Sequence, residues 1–259
     1  MSWWKTIVGG TLGYMLGGPL GAMLGVAFAG NFSKRKGSFG GSSQNYGPGN
    51  QQRVQAAFFS SVFTVMGYMA KVDGKVSKSE ILLAQQVMQH MQLSEEMQKV
   101  AKELFNQGKN NDFNLDEVLE QFLAESHRRT HLIRMFLEIQ IQATYADGVF
   151  DDKEYSALKH IAQKLRFPIH ELEQLIQQFS ATSNSSNKLS VDDAYVILGA
   201  DNSLTDKELK TAYRRLLAQH HPDKLVAKGL PEEMTKIANE KTQEIISAYE
   251  LIKKHRGTH

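Results

Sequence analysis

From Thr6 to Gly30 no residue carries a charge, and a run of that length leaves a chain few places to put it. As a helix it would reach about 37 Å, more than the ~30 Å hydrocarbon core of a bilayer. Trp3 and Trp4 stand where an interfacial aromatic belt forms, with Lys5 beside them, and Lys34, Arg35 and Lys36 follow the run at once. These features predict a transmembrane helix within residues 1–30. By the positive-inside rule the very short N-terminus lies outside and the C-terminal bulk in the cytoplasm, so the chain is expected to be a single-pass membrane protein in contact with lipid. Ala27-Phe28-Ala29 resembles a signal cleavage site, but the basic triplet behind it favours a retained anchor. Gly9, Gly13, Gly17, Gly21 and Gly25 recur every fourth residue and draw a small-residue ridge along such a helix. A ridge of this kind lets two backbones approach closely, so a homodimer is expected.

Residues 31–53 are rich in Gly, Ser, Asn and Gln around Gly47-Pro48-Gly49 and read as a flexible tether. Val54 to Ala70 is again uncharged, but Gln55, Ser60, Ser61 and Thr64 dilute it, so a buried core helix is expected rather than a second span. Capping-box spacing at Ser77/Glu80 and Asn114/Glu117, Ser94 ahead of Glu95, and Pro168 each mark a helix start. Apolar residues recur at three and four, as in Leu158, Ile161, Ala162 and Leu165, and nothing alternates as a strand would. The fold class is therefore all-α, with about seven helices over 54–180.

This segment carries an internal repeat: Asp73-Gly74-x-x-Ser77-x-x-Glu80 returns as Asp147-Gly148-x-x-Asp151-x-x-Glu154. A turn followed by a helix cap accounts for the spacing. The sharper alternative is a divalent-cation site built from Asp73, Asp147, Asp151 and Glu154. His127 and His131 are four apart, but no His-Glu-x-x-His accompanies them, and no metal or other cofactor is expected. The chain has no cysteine, which excludes disulfides, thiol nucleophiles and cysteine-ligated metals. Its net charge of +2 gives no basis for a nucleic-acid partner. No nucleophile–base pair or phosphate loop is visible, so an enzyme is not expected.

Residues 181–190 form a second polar linker, and 191–259 a further helical unit. A short helix from Asp192 ends at Gly199. Thr205 with Glu208 then opens a strong helix through His220, whose outward face carries Lys207, Lys210, Arg214 and Arg215. Pro222 stops it. A last helix from about Glu232 to Lys254, with Ile237, Ile245, Ala248, Tyr249 and Ile252 inward, completes a helical hairpin of two similar arms around an exposed His221-Pro222-Asp223 corner.

These residues resemble the J domain of DnaJ-type co-chaperones: Asp193-Ala194-Tyr195-x-x-Leu198-Gly199, Leu209-Lys210-x-Ala212-Tyr213-Arg214-Arg215-Leu216, His221-Pro222-Asp223-Lys224 and Ala248-Tyr249-x-Leu251-Ile252. The 54–180 segment resembles TerB-like helical domains, and Leu132 to Ala143 looks like the TerB-like module of DjlA-type membrane J-proteins. The resemblance implies a membrane-anchored co-chaperone that recruits a DnaK-type chaperone and stimulates its ATPase, with no active site of its own. Lys210, Arg214 and Arg215 would meet an acidic chaperone surface, His221, Pro222 and Asp223 its nucleotide-binding domain, and Tyr213 and Lys224 would join them as partner-binding residues. The middle module would bind an unknown client or signalling protein. Leu225 to Pro231 is an insertion relative to the simplest J domains and resembles the DjlA-type variant. Two other functions stay open on the residues: a metal-responsive membrane sensor, and a structural membrane protein that acts through the glycine ridge.

Overall fold

The uncharged segment that follows the first linker is the post around which the middle of the molecule is built. In the computed structural model, which describes residues 17–24, 50–72, 87–89, 91, 93–127, 129–145, 151–184 and 189–257, it forms α1 (Asn50–Met69). Every residue from Val54 to Gly67 is buried, which explains why no charge interrupts it. Ser60 and Thr64 answer for their burial by donating to the carbonyls of Ala56 and Ser60, one turn back.

Around α1 stand α2 (Glu95–Gly108), α3 (Leu115–Glu125) and α4 (Thr130–Thr144), with α5 (Asp152–Lys164) and α6 (Ile169–Asn184) against α4. Their starts follow the capping signals. Ser94 accepts from the Met97 N–H, and Asp151 and Glu154 complete a reciprocal capping box. At Asn114 the box is one-sided: its side chain accepts from the Glu117 N–H, but Glu117 accepts from the Asn114 amide group rather than from the backbone. Phe58, Phe122 and Phe136 join α1, α3 and α4 through ring contacts at 5.9 and 5.0 Å. Gln140 on α4 donates to the Val62 carbonyl at 3.1 Å.

The C-terminal unit comprises α7 (Val191–Leu198), α8 (Asp206–His220), α9 (Pro222–Ala227), a 3₁₀ turn (Glu232–Met234) and α10 (Thr235–Arg256). Gly199 closes α7 with φ +55, and Thr205 with Glu208 forms the capping box of α8. Three contacts fix α8 and α10 as antiparallel: Asp206 with Arg256, Tyr213 stacked on Tyr249 at 4.0 Å, and the His220 carbonyl with Thr242. The two arms are unequal, 15 residues against 22. The extra turns of α10 face the middle module: Ile237 and Ala238 pack with that module's core rather than with Ile245, Ala248 and Ile252.

Among the described residues there is no strand, and no helix is long and apolar enough to cross a membrane. The predicted span, together with Gly9, Gly13, Gly25 and the 31–49 tether, falls largely outside the described residues. A helical turn covers 18–24. It holds Gly21 but begins after Gly17, whose φ is +58.

Candidate partner-docking site

The corner at His221 follows from a proline. Pro222 takes the first position of α9, where its missing N–H costs nothing, and forces His221 into an extended conformation, φ −60 and ψ 122. The His221 ring then caps α9, its Nδ1 accepting from the Asp223 N–H at 3.2 Å. His221 and Asp223 are exposed. Among the described residues the Asp223 carboxylate has no ion-pair partner. What this offers is a carboxylate and an imidazole edge held at a rigid bend.

Lys210, Arg214 and Arg215 are exposed on α8, and among the described residues none of them forms an ion pair. Lys224, one turn into α9, is exposed too. Tyr213 is half-buried and lies face-on against Tyr249, so of the sequence-predicted docking residues it serves the hairpin's own packing most. Burial, then Glu250 and Tyr249, push its hydroxyl above the ordinary tyrosine value.

One residue before the corner, the surroundings reverse. His220 is buried, its Nδ1 2.9 Å from the Leu216 carbonyl and its Nε2 2.9 Å from Oε1 of Glu138 on α4. Burial pushes the Glu138 carboxyl up, but the charge and hydrogen bond of His220, with Lys241 and Arg134, hold it below the ordinary glutamate value. Glu138 was absent from the sequence-derived candidates. Its signal was a lone carboxylate inside the apolar run Met135 to Ala143.

The insertion after the corner is a docking arm. Leu225, Leu230, Met234 and Ala238 join the core of the middle module, while a separate, smaller core serves the hairpin. Gln55 donates to the Leu230 carbonyl at 3.3 Å, Gln51 to Val226 at 3.2 Å, and Arg129 to Lys228. Gly229, at φ +106, lies so close to Val54 that a side chain there would overlap it. Thr182 donates to Glu244 at 2.7 Å, beside a cleft of about 270 Å³. The arm gathers cations near the corner. Burial, then Lys228, Arg134 and His220, hold His131 below its ordinary value, and burial with Lys224 and Arg129 does the same to Lys228.

Of the candidate cation ligands, Asp73 and Asp147 lie outside the described residues. Asp151 and Glu154 spend their carboxylates on backbone N–H groups, those of Lys153 and Asp151. Among the described residues no group of three metal-ligating side chains occurs. His127 and His131 do not share a helix: His127 precedes α4 with φ +51 and meets Asn50 at 3.0 Å.

Three family models match the chain: "Tellurite resistance protein TerB" over residues 60–177, "DnaJ domain" over 193–257 and "Co-chaperone DjlA transmembrane domain" over 1–43. Among curated proteins it is similar to Co-chaperone protein DjlA of Coxiella burnetii, 41% identical over 99% of both chains. The same-named protein of Photobacterium profundum is 39% identical over 98% of this chain and 99% of its own. That of Shewanella oneidensis is 42% identical over 87% of each. No solved structure gives a significant match.

Proposed function

The chain belongs to the DjlA co-chaperone family, and from that premise we propose that its J domain recruits a DnaK-type chaperone to the membrane and stimulates its ATP hydrolysis. It acts as a regulator of a partner's active site and has none of its own. The observation that carries this reading is the bend that exposes His221 and Asp223 at the end of a helix whose Lys210, Arg214 and Arg215 are exposed and, among the described residues, form no ion pair. The cations steer encounter with an acidic surface, and the bend presents the Asp223 carboxylate to a partner arginine without further ordering cost.

In this reading residues 1–30 anchor the chain in the inner membrane with the N-terminus periplasmic, 31–49 tether it, 50–180 select clients or signalling partners, and 191–259 engage the chaperone from the cytoplasmic side. Anchoring raises the local concentration of the corner at the bilayer, so a transient affinity suffices. The glycine ridge pairs two copies. Gly17→Ile with Gly21→Ile is expected to reduce crosslinked dimer in membranes; unchanged crosslinking would remove the ridge from the account.

The decisive measurement is single-turnover ATP hydrolysis by the cognate DnaK in the presence of the full chain in nanodiscs. The full chain is needed because an isolated 188–259 fragment would bare Leu225, Leu230, Met234 and Ala238 to water. His221→Gln should abolish stimulation while the domain stays folded, the melt falling by no more than the loss of one helix cap. Equal activity, or equal inertness, of the two proteins refutes the reading.

A further inference from the structure

Residues 17–24 lie inside the uncharged run and inside the match to the DjlA transmembrane domain, yet they are seated on the TerB-like module. Leu20 and Leu24 are 0% and 1% exposed and belong to that module's core, with Met23 packed at its edge. Among the described residues, two glutamine side chains hydrogen-bond to backbone atoms of the segment. Gln121 of α3 accepts from the Leu20 N–H and donates to the Gly17 carbonyl, both at 2.8 Å, and Gln107 of α2 donates to the Met23 carbonyl at 3.2 Å. One amide thus clamps the turn that opens the helix, and a second takes a carbonyl near its end. Gly17 and Gly18 have φ of +58 and +60, and a Cβ at Gly18 would come within 2.9 Å of Gln121 Oε1.

Seating and membrane insertion exclude each other. Leu20 stands near the middle of the uncharged run, so crossing the bilayer carries it roughly 15 Å from water, out of reach of Gln121. Insertion of the whole run removes far more apolar surface from water than two seated leucines do. The bilayer therefore wins where one is present, and the seat between α2 and α3 is vacated.

We propose that this seat is a binding site for uninserted membrane-spanning segments of other proteins: an uncharged helix opened by glycine, with leucines at i and i+4. The chain's own span occupies it away from the membrane, and insertion opens it. Backbone hydrogen bonds and two apolar positions recognise a class of segment rather than one sequence. This site is independent of the J-domain reading, and DnaK stimulation read on the same samples reports that reading separately.

The test uses the full chain in nanodiscs, titrated with a fluorescein-labelled peptide carrying residues 15–26 between lysine pairs, against protein-free nanodiscs. Anisotropy should show saturable binding, weakened about tenfold or more by Gln107→Ala with Gln121→Ala. Replacing the peptide's Leu20 and Leu24 by Asp should abolish it. Signal equal to that of protein-free nanodiscs, or binding undiminished by the double substitution, overturns the proposal. Should the double variant melt early, alanine at the peptide position of Gly18 keeps the test open: equal affinity for that peptide overturns the seat's geometry. A second peptide, unrelated in sequence but with Gly-Gly ahead of Leu-x-x-x-Leu, should compete; failure to compete confines the seat to this chain's own span and overturns the assignment to other proteins.

Discussion

His220 and His221 are neighbours in the chain and opposites in circumstance, one packed between α4 and α10 and the other standing in solvent. Both ring nitrogens of His220 face oxygen atoms, those of the Leu216 carbonyl and the Glu138 carboxylate. That contact anchors the residue just ahead of the His221-Pro222-Asp223 corner to a different module. Glu138→Gln keeps the volume and removes the charge, and should cost about 1–3 kcal/mol in chemical denaturation. Glu250→Gln is the control: Glu250 is exposed and only 4.0 Å from Lys253, so its loss should stay within about 0.5 kcal/mol. Equal effects of the two substitutions would deny the buried pair any special role. Arg256 is a comparable fixture inside the J domain, gathering Tyr195, Asp206 and the carbonyls of Asn202 and Leu204 at the end of α10.

Helices α1 and α2 cross closely enough that their backbones meet. A Cβ on Gly67 would collide with the Phe105 carbonyl, and one on Gly108 with the Thr64 carbonyl. Helix propensity alone would favour alanine at Gly67 by roughly 0.5–1 kcal/mol. The collision is with backbone, which cannot swing aside, and forcing a packed interface apart costs about 1–3 kcal/mol. Sterics therefore decide the sign: Gly67→Ala should lower the thermal midpoint, and a raised midpoint would mean the crossing is looser than described. The small-residue approach expected of the N-terminal glycines operates here in the TerB-like module, at two glycines that no repeat in the sequence singles out.

At the scale of the whole molecule, the 225–238 arm plants part of the J domain in the core of the TerB-like module. The hairpin's own core is small, nine buried residues centred on Leu209, Leu216, Ile245 and Ile252, and a domain of that size gains much from a neighbour. Acid should loosen the seam in two stages. His131 is held below its ordinary value, so the separated state binds a proton first and stability begins to fall below about pH 6.5. Glu138 is also depressed, so its contribution is present above about pH 4.3 and is lost as pH falls through its lowered value. Hydrogen exchange at residues 225–238 should therefore lose protection, relative to α1, as pH drops from 7 to 5, after correction for intrinsic exchange. Protection that tracks α1 across that range would contradict the account.

What the sequence determined by itself is local. Helix starts at Ser94, Asp151 and Thr205, the stop at Gly199 and the bend at Pro222 depend on groups within four residues of each other, so spacing suffices to read them. Burial of α1 was legible for a related reason, since a long uncharged helix has to be enclosed by something. Which partner encloses a face is a different matter, because the hydrophobic effect has no direction and a buried leucine does not name its neighbour. Only the tertiary structure decided that Leu225, Leu230 and Ala238 leave the hairpin for the TerB-like core, that Glu138 meets His220, that Gly67 and Gly108 approach carbonyls, and that Leu20 is buried against the TerB-like module.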